Sequence, residues 1–115
     1  MDTAGIAREF CALCLGWEEG RAFAFTDLAA VLAAAGDWCK KVEVVMMLQL
    51  VPITGSWWVQ LTWGNERILY GCGSLAEIPE LVMCACLEAR ERRNVAVASR
   101  FKSWRRDFSI GCTRN

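Results

Sequence analysis

Apolar positions along this chain follow two different periods, and the change of period marks out its elements. Ile6, Phe10, Leu13 and Cys14 recur at helical spacing with Arg8 and Glu9 between them, which predicts a helix from Thr3 to Leu15. Gly16 suits its C-terminal end, Trp17 is placed to tuck beneath it, and Glu18-Glu19-Gly20-Arg21 reads as a polar loop. Thr26-Asp27 opens a second helix, with threonine as N-cap and a carboxylate in the first turn. Leu28, Val31, Leu32 and Ala35 form its apolar stripe, and its alanine-rich side allows close approach to a neighbour. Gly36-Asp37 leaves two options: the helix loosens there, or it continues through Trp38 and Cys39 to Lys40-Lys41, whose cations suit a helix C-terminus.

From Val42 the period becomes two. Val44, Met46, Leu48 and Leu50 share one face of a first strand, Val42 to Val51, and Glu43, Val45, Met47 and Gln49 the other. After the turn Pro52–Gly55, a second strand runs from Ser56 to Trp63. Trp57, Val59, Leu61 and Trp63 point one way, and Trp58, Gln60 and Thr62 the other. Gly64-Asn65 is a tight hairpin turn, and Glu66 to Cys72 forms a third strand. Ser74-x-x-Glu77 resembles a capping box, but Pro79 belongs in a first turn, so the last helix is expected at about Pro79 to Arg93. Leu81, Val82, Cys84, Ala85 and Ala89 give it an apolar face, followed by a charged end.

The order α-α-β-β-β-α predicts an α+β fold, a small antiparallel three-stranded sheet layered with helices in an α/β/α sandwich-like arrangement. Residues 1–93 form the expected domain and 94–115 a basic, aromatic C-terminal tail. In such a sandwich Trp58, beside polar Gln60 and Thr62, is expected under a helix; otherwise it is open to a partner.

Composition narrows the class. The 115 residues are 55% hydrophobic with two prolines, which excludes a disordered or low-complexity chain. No apolar run approaches the roughly 18–20 residues of a membrane span, and no export signal is recognisable, so the expectation is a cytoplasmic protein without membrane contact. The seven cysteines, an odd number, are then expected to be reduced. Cys11-x-x-Cys14 and Cys84-x-Cys86 have spacings that could build a four-thiolate zinc site. Both pairs sit in helical patterns, however, and there is no histidine. The favoured reading is buried thiols, with no metal and no cofactor.

Histidine's absence also removes the commonest general base. Gly71-Cys72-Gly73 lacks the rest of a phosphate loop, and Cys72 has no identifiable base. No catalytic residue is assigned, and the chain is not expected to be an enzyme. Charge is more informative. Residues 1–87 carry five basic and ten acidic residues, net −5, whereas 88–115 carry eight basic and three acidic, net +5. The tail alternates cations with aromatics from Arg100 through Phe101, Lys102 and Trp104 to Arg105 and Arg106. That composition suits a protein interface or a nucleic-acid backbone; it also suits a segment folded on the acidic body or left solvated.

Four features together form a further pattern. They are Gly16-Trp17 after the first helix, Thr26-Asp27 before the second, the Trp57-Trp58-Val59 run on a hairpin, and a Cys/Ala-rich helix after Pro79-Glu80. In this pattern the chain resembles the small phage-encoded proteins of the phage ABA sandwich domain family over about residues 5–92. The resemblance implies a phage or prophage origin and a sheet layered between helices, and it carries over no catalytic residues. The chain departs from the family in its basic tail, its cysteines and its apolar first strand.

The leading functional expectation is a phage-derived, non-catalytic binding protein, a counter-defence inhibitor (anti-CRISPR-like) working in the cytoplasm of an infected bacterium. It would cover a host protein or nucleoprotein using Arg100, Phe101, Lys102, Trp104, Arg105 and Arg106, with nucleic-acid contact through the same segment. One alternative is a sponge for a nucleotide signal, stacking and pairing its ligand with Trp58, Arg67 and Tyr70. Another is a homo-oligomeric structural protein joined head to tail by its charge asymmetry.

Overall fold

A capped but short helix begins the fold. The Asp2 carboxylate accepts a hydrogen bond from the Gly5 N–H at 2.8 Å, which satisfies one of the orphan donors of a first turn. In the computed structural model, which describes residues 2–102 and 113–114, α1 spans Thr3–Glu9. The chain then widens into a π-helical segment, Phe10–Leu15, rather than completing the regular helix expected to Leu15. The wider turn brings residues four apart closer to alignment. Phe10, Cys11, Cys14 and Leu15 all reach the core, while Leu13, expected on the apolar face, is left 46% exposed. Gly16 ends the segment in the left-handed conformation at φ 69°, as its position in the sequence suggests.

α2 spans Leu28–Val42, with Asp27 rather than Thr26 at the N-cap. It passes through Gly36 without interruption and buries Val31, Ala35, Trp38 and Cys39. It also takes in Val42, which the alternating pattern had placed in a strand. Glu43 stops it at φ 60°, ψ 45°, a conformation uncommon outside glycine. The Val44 N–H then bonds back to the Cys39 carbonyl at 2.9 Å.

The three strands are β1 (Val45–Val51), β2 (Ser56–Trp63) and β3 (Glu66–Cys72). β1–β2 and β2–β3 are antiparallel, with Leu48 opposite Val59 and Leu61 opposite Ile68. Gly64, at φ 55°, allows the two-residue turn between Trp63 and Glu66. A fourth, two-residue strand, β4 (Thr113–Arg114), pairs parallel with Arg67 and Ile68 and completes the order β1-β2-β3-β4.

Ser74 accepts from the Ala76 N–H and starts the 3₁₀ turn Leu75–Glu77. α3 follows from Ile78 to Lys102, with Pro79 in its first turn, and runs nine residues past the expected end at Arg93. Ile78, Val82, Ala85 and Ala89 make one buried stripe at helical spacing, and Met83 and Cys86 add a second. The first stripe packs on β2 and β3, while the second side meets α1, the π-helical segment and α2. α3 is therefore the central element of an α+β fold with helices on the sheet.

Every buried residue of the three long strands (Val59, Leu61, Ile68) lies on the face that carries α3. The opposite face holds Val45, Met47, Trp58, Gln60, Thr62, Arg67 and Leu69, none of them buried. Trp58 is half-buried, but among the described residues its cover is not a helix. Its ring lies across Gly71, where an added Cβ would come within 2.8 Å of it. Glycine at this cross-strand position provides the space that the indole fills.

Candidate functional site

The basic end of α3 is fixed to the sheet by a small polar cluster. The Tyr70 hydroxyl donates to the Glu88 carboxylate. Arg92, one turn on, pairs with Glu88 at 2.8 Å and donates to the Arg67 carbonyl at 3.5 Å. At the other side of α3 the Thr3 hydroxyl donates to Glu80. The Tyr70 and Arg92 contacts fix the helix close to Ala89, the last buried position among the residues whose side chains are described, and the backbone helix continues from there to Lys102. Thirteen residues at 1.5 Å each carry it about 20 Å further.

Of the residues singled out in the tail, Arg100 and Lys102, with Phe101 between them, lie on this helical extension; Trp104, Arg105 and Arg106 lie outside the described residues, as does Cys112. The proposed nucleotide-stacking trio is not brought together. Trp58 and Arg67 share the open sheet face, but Trp58 pairs with Gly71, four residues along β3 from Arg67, a separation of about 13 Å. Tyr70 is on the opposite face, engaged with Glu88. Strand parity could have shown this, because Arg67 and Tyr70 differ by an odd number of positions.

The cysteines do not form the four-thiol group that their spacing allowed. Cys86 turns inward to meet the Cys39 thiol on α2, while Cys84 faces Glu80 and Glu88 on the other side of α3. Among the described residues no group of three or more cysteines and carboxylates is arranged to hold a metal. The contact with Cys39, and then burial, pushes Cys86 well above the ordinary thiol range; the same contact lowers Cys39. Burial also holds Cys14 up to about 12, against a smaller opposing effect of Arg90. The raised thiols, Cys14 and Cys86, are poor nucleophiles at neutral pH.

Cys14 makes a testable contribution to stability. In the unfolded chain its thiol ionises near 9.0, whereas the fold keeps it protonated to about 12. The native state therefore holds the extra proton between those values, and stability present below pH 9 is lost as pH rises through that window. The melting temperature is expected to fall from about pH 9 upward, and Cys14→Ala to flatten that decline; calorimetry across the alkaline range checks it.

A second surface lies between α1 and the loop after it, an open groove of about 840 Å³. Trp17 stands edge-on to Phe23 at 5.5 Å between ring centres, with the Arg21 guanidinium 3.7 Å from its own ring centre. Trp17 thus packs within the loop, and its cation–π contact engages Arg21, one of the cations beside the groove. Among the described residues, no helix is long and apolar enough to cross a membrane. No family model, curated protein or solved structure matches the chain.

Proposed function

We propose that this is a non-catalytic binding protein that acts by covering a partner's surface, with the basic end of α3 and the segment beyond it as the contact. The observation that carries this reading is the unbroken helix from the core to Lys102. It joins the +5 end of the chain to the −5 body through the element that every other layer packs against. Cations on a helix continuous with the core lose less conformational freedom on binding than cations on a flexible tail. Arginine and tryptophan are the side chains that most often anchor interfaces.

The specific form we propose follows the sequence resemblance: a phage-encoded inhibitor of a bacterial defence protein or nucleoprotein, acting inside the infected cell. Its partner would present an acidic protein surface or a nucleic-acid backbone, and salt dependence of binding separates the two, being steeper for phosphate contacts. In the full chain, reversal of Arg100, Lys102, Arg105 and Arg106 to Glu is expected to abolish counter-defence activity while leaving the thermal transition within a few degrees of the parent. Retained activity in a folded variant would remove this segment from the contact.

A further inference from the structure

Among the described residues β1 is an edge strand without the usual protection. Edges are ordinarily blunted by a lysine, a proline, a bulge or a covering element. Between Val45 and Val51 the sequence is VMMLQLV, with no charge and no proline, and its register with β2 runs one to one without a bulge. It is also apolar on both faces. Val45 (58% exposed) and Met47 (51%) lie on the open face, Leu48 (37%) and Leu50 (46%) on the helix side, and Ile53 (95%) in the adjoining turn.

We infer that a second copy of this chain docks edge to edge on β1, pairing the two β1 strands antiparallel about a two-fold axis and joining the sheets into one. Three observations select that occupant. The first is position: the only described segment after α3, Thr113–Arg114, pairs with β3 at the opposite side of the sheet, so that among the described residues no strand lies against β1 on its outer side. The second is charge: pairing along the full strand sets Leu48 of one copy against Leu48 of the other, Met46 against Leu50, Val45 against Val51 and Met47 against Gln49. An isologous contact repeats every residue across the axis, and a strand with any charge near its centre would oppose itself; this one has none.

The third is area. At these exposures the five side chains leave on the order of 500 Å² of apolar surface open, within the range of the largest patch on a monomer. Two copies bring up to about 1,000 Å² of apolar side-chain surface to the seam, the area that a specific interface must clear. Antiparallel pairing keeps each face continuous. Both helix layers therefore fall on one side, with Leu48 and Leu50 filling the seam between them, and a second seam of Val45 and Met47 forms on the other. This contact is separate from the basic end of α3 and does not depend on the functional proposal.

Sedimentation equilibrium of the full chain is the test. A closed dimer of twice 12.9 kDa is expected. Leu48→Lys with Leu50→Lys should halve the mass, with the far-ultraviolet circular dichroism unchanged because neither side chain is buried. Amide exchange of the parent gives a second readout if the variant fails to fold. Residues 45–51 should be protected at high protein concentration and lose that protection on dilution. A monomer at about 100 µM, well above the Kd of most specific contacts, would overturn the inference. So would a folded double variant that stays dimeric, a mass above two chains, or exchange in β1 that does not change with concentration.

Discussion

Phe10→Ala is expected to cost about 3–5 kcal/mol, a large share of the roughly 5–15 kcal/mol available to a domain of this size. Phe10 is fully buried where α1 widens into its π-helical segment, with Phe23 6.0 Å away between ring centres. The deletion removes the side chain that joins the first helix to the loop after it. The surroundings have little freedom to collapse, because that loop is separately held by Trp17 and Arg21 and the facing side of α3 is packed by Met83 and Cys86. Urea denaturation followed by tryptophan fluorescence reads the loss; less than about 1 kcal/mol would mean that this corner of the core is not close-packed.

Val82→Asp is expected to abolish cooperative folding at neutral pH. Val82 is fully buried in the α3 stripe that packs on the sheet, and none of the described buried residues is polar or charged. An uncompensated carboxylate there costs several kcal/mol, and it falls in the element that carries both halves of the core. The same change at Leu75, 53% exposed in the turn before α3, should stay within about 0.5 kcal/mol. Thermal scans of the two variants separate burial from helix propensity. A clear, parent-like transition in Val82→Asp would show that α3 does not lie between the sheet and the other helices.

The period-two runs located β2 and β3 residue for residue, since their two faces differ in burial and the turns at Gly55 and Gly64 carry recognisable residues. β1 was harder. Alternation placed Leu48 and Leu50 on one face with Val44 and Met46, but it does not say that a strand is at an edge, so their exposure could not be read from it. Val42 went to the helix because the left-handed Glu43 finishes α2 one residue past the two lysines, and a Glu in that conformation leaves no sequence signal. The π-helical widening at Phe10 was equally silent, because residues 10, 11, 14 and 15 fit a regular helix almost as well.

At the candidate site, the charge division and the aromatic-cationic segment were visible in the sequence. The helical continuity from Arg93 to Lys102 was not, because small and β-branched residues there give a weak periodic signal. Nor was the Tyr70–Glu88–Arg92 cluster, which joins residues that only the fold brings together. Cys84 and Cys86 show the reverse case. Two residues apart on a helix, they face different sides, so their spacing argued against a joint site once the helix was granted.

Phage plating on a bacterium protected by an RNA-guided nuclease tests the central claim most directly. Expression of the full chain is expected to restore plaque formation by a targeted phage toward the level on an undefended strain, and purified protein to bind the nuclease complex in a manner that added salt weakens. Unchanged plating across a panel of such defences, with the folded protein abundant in the cell, would contradict the account.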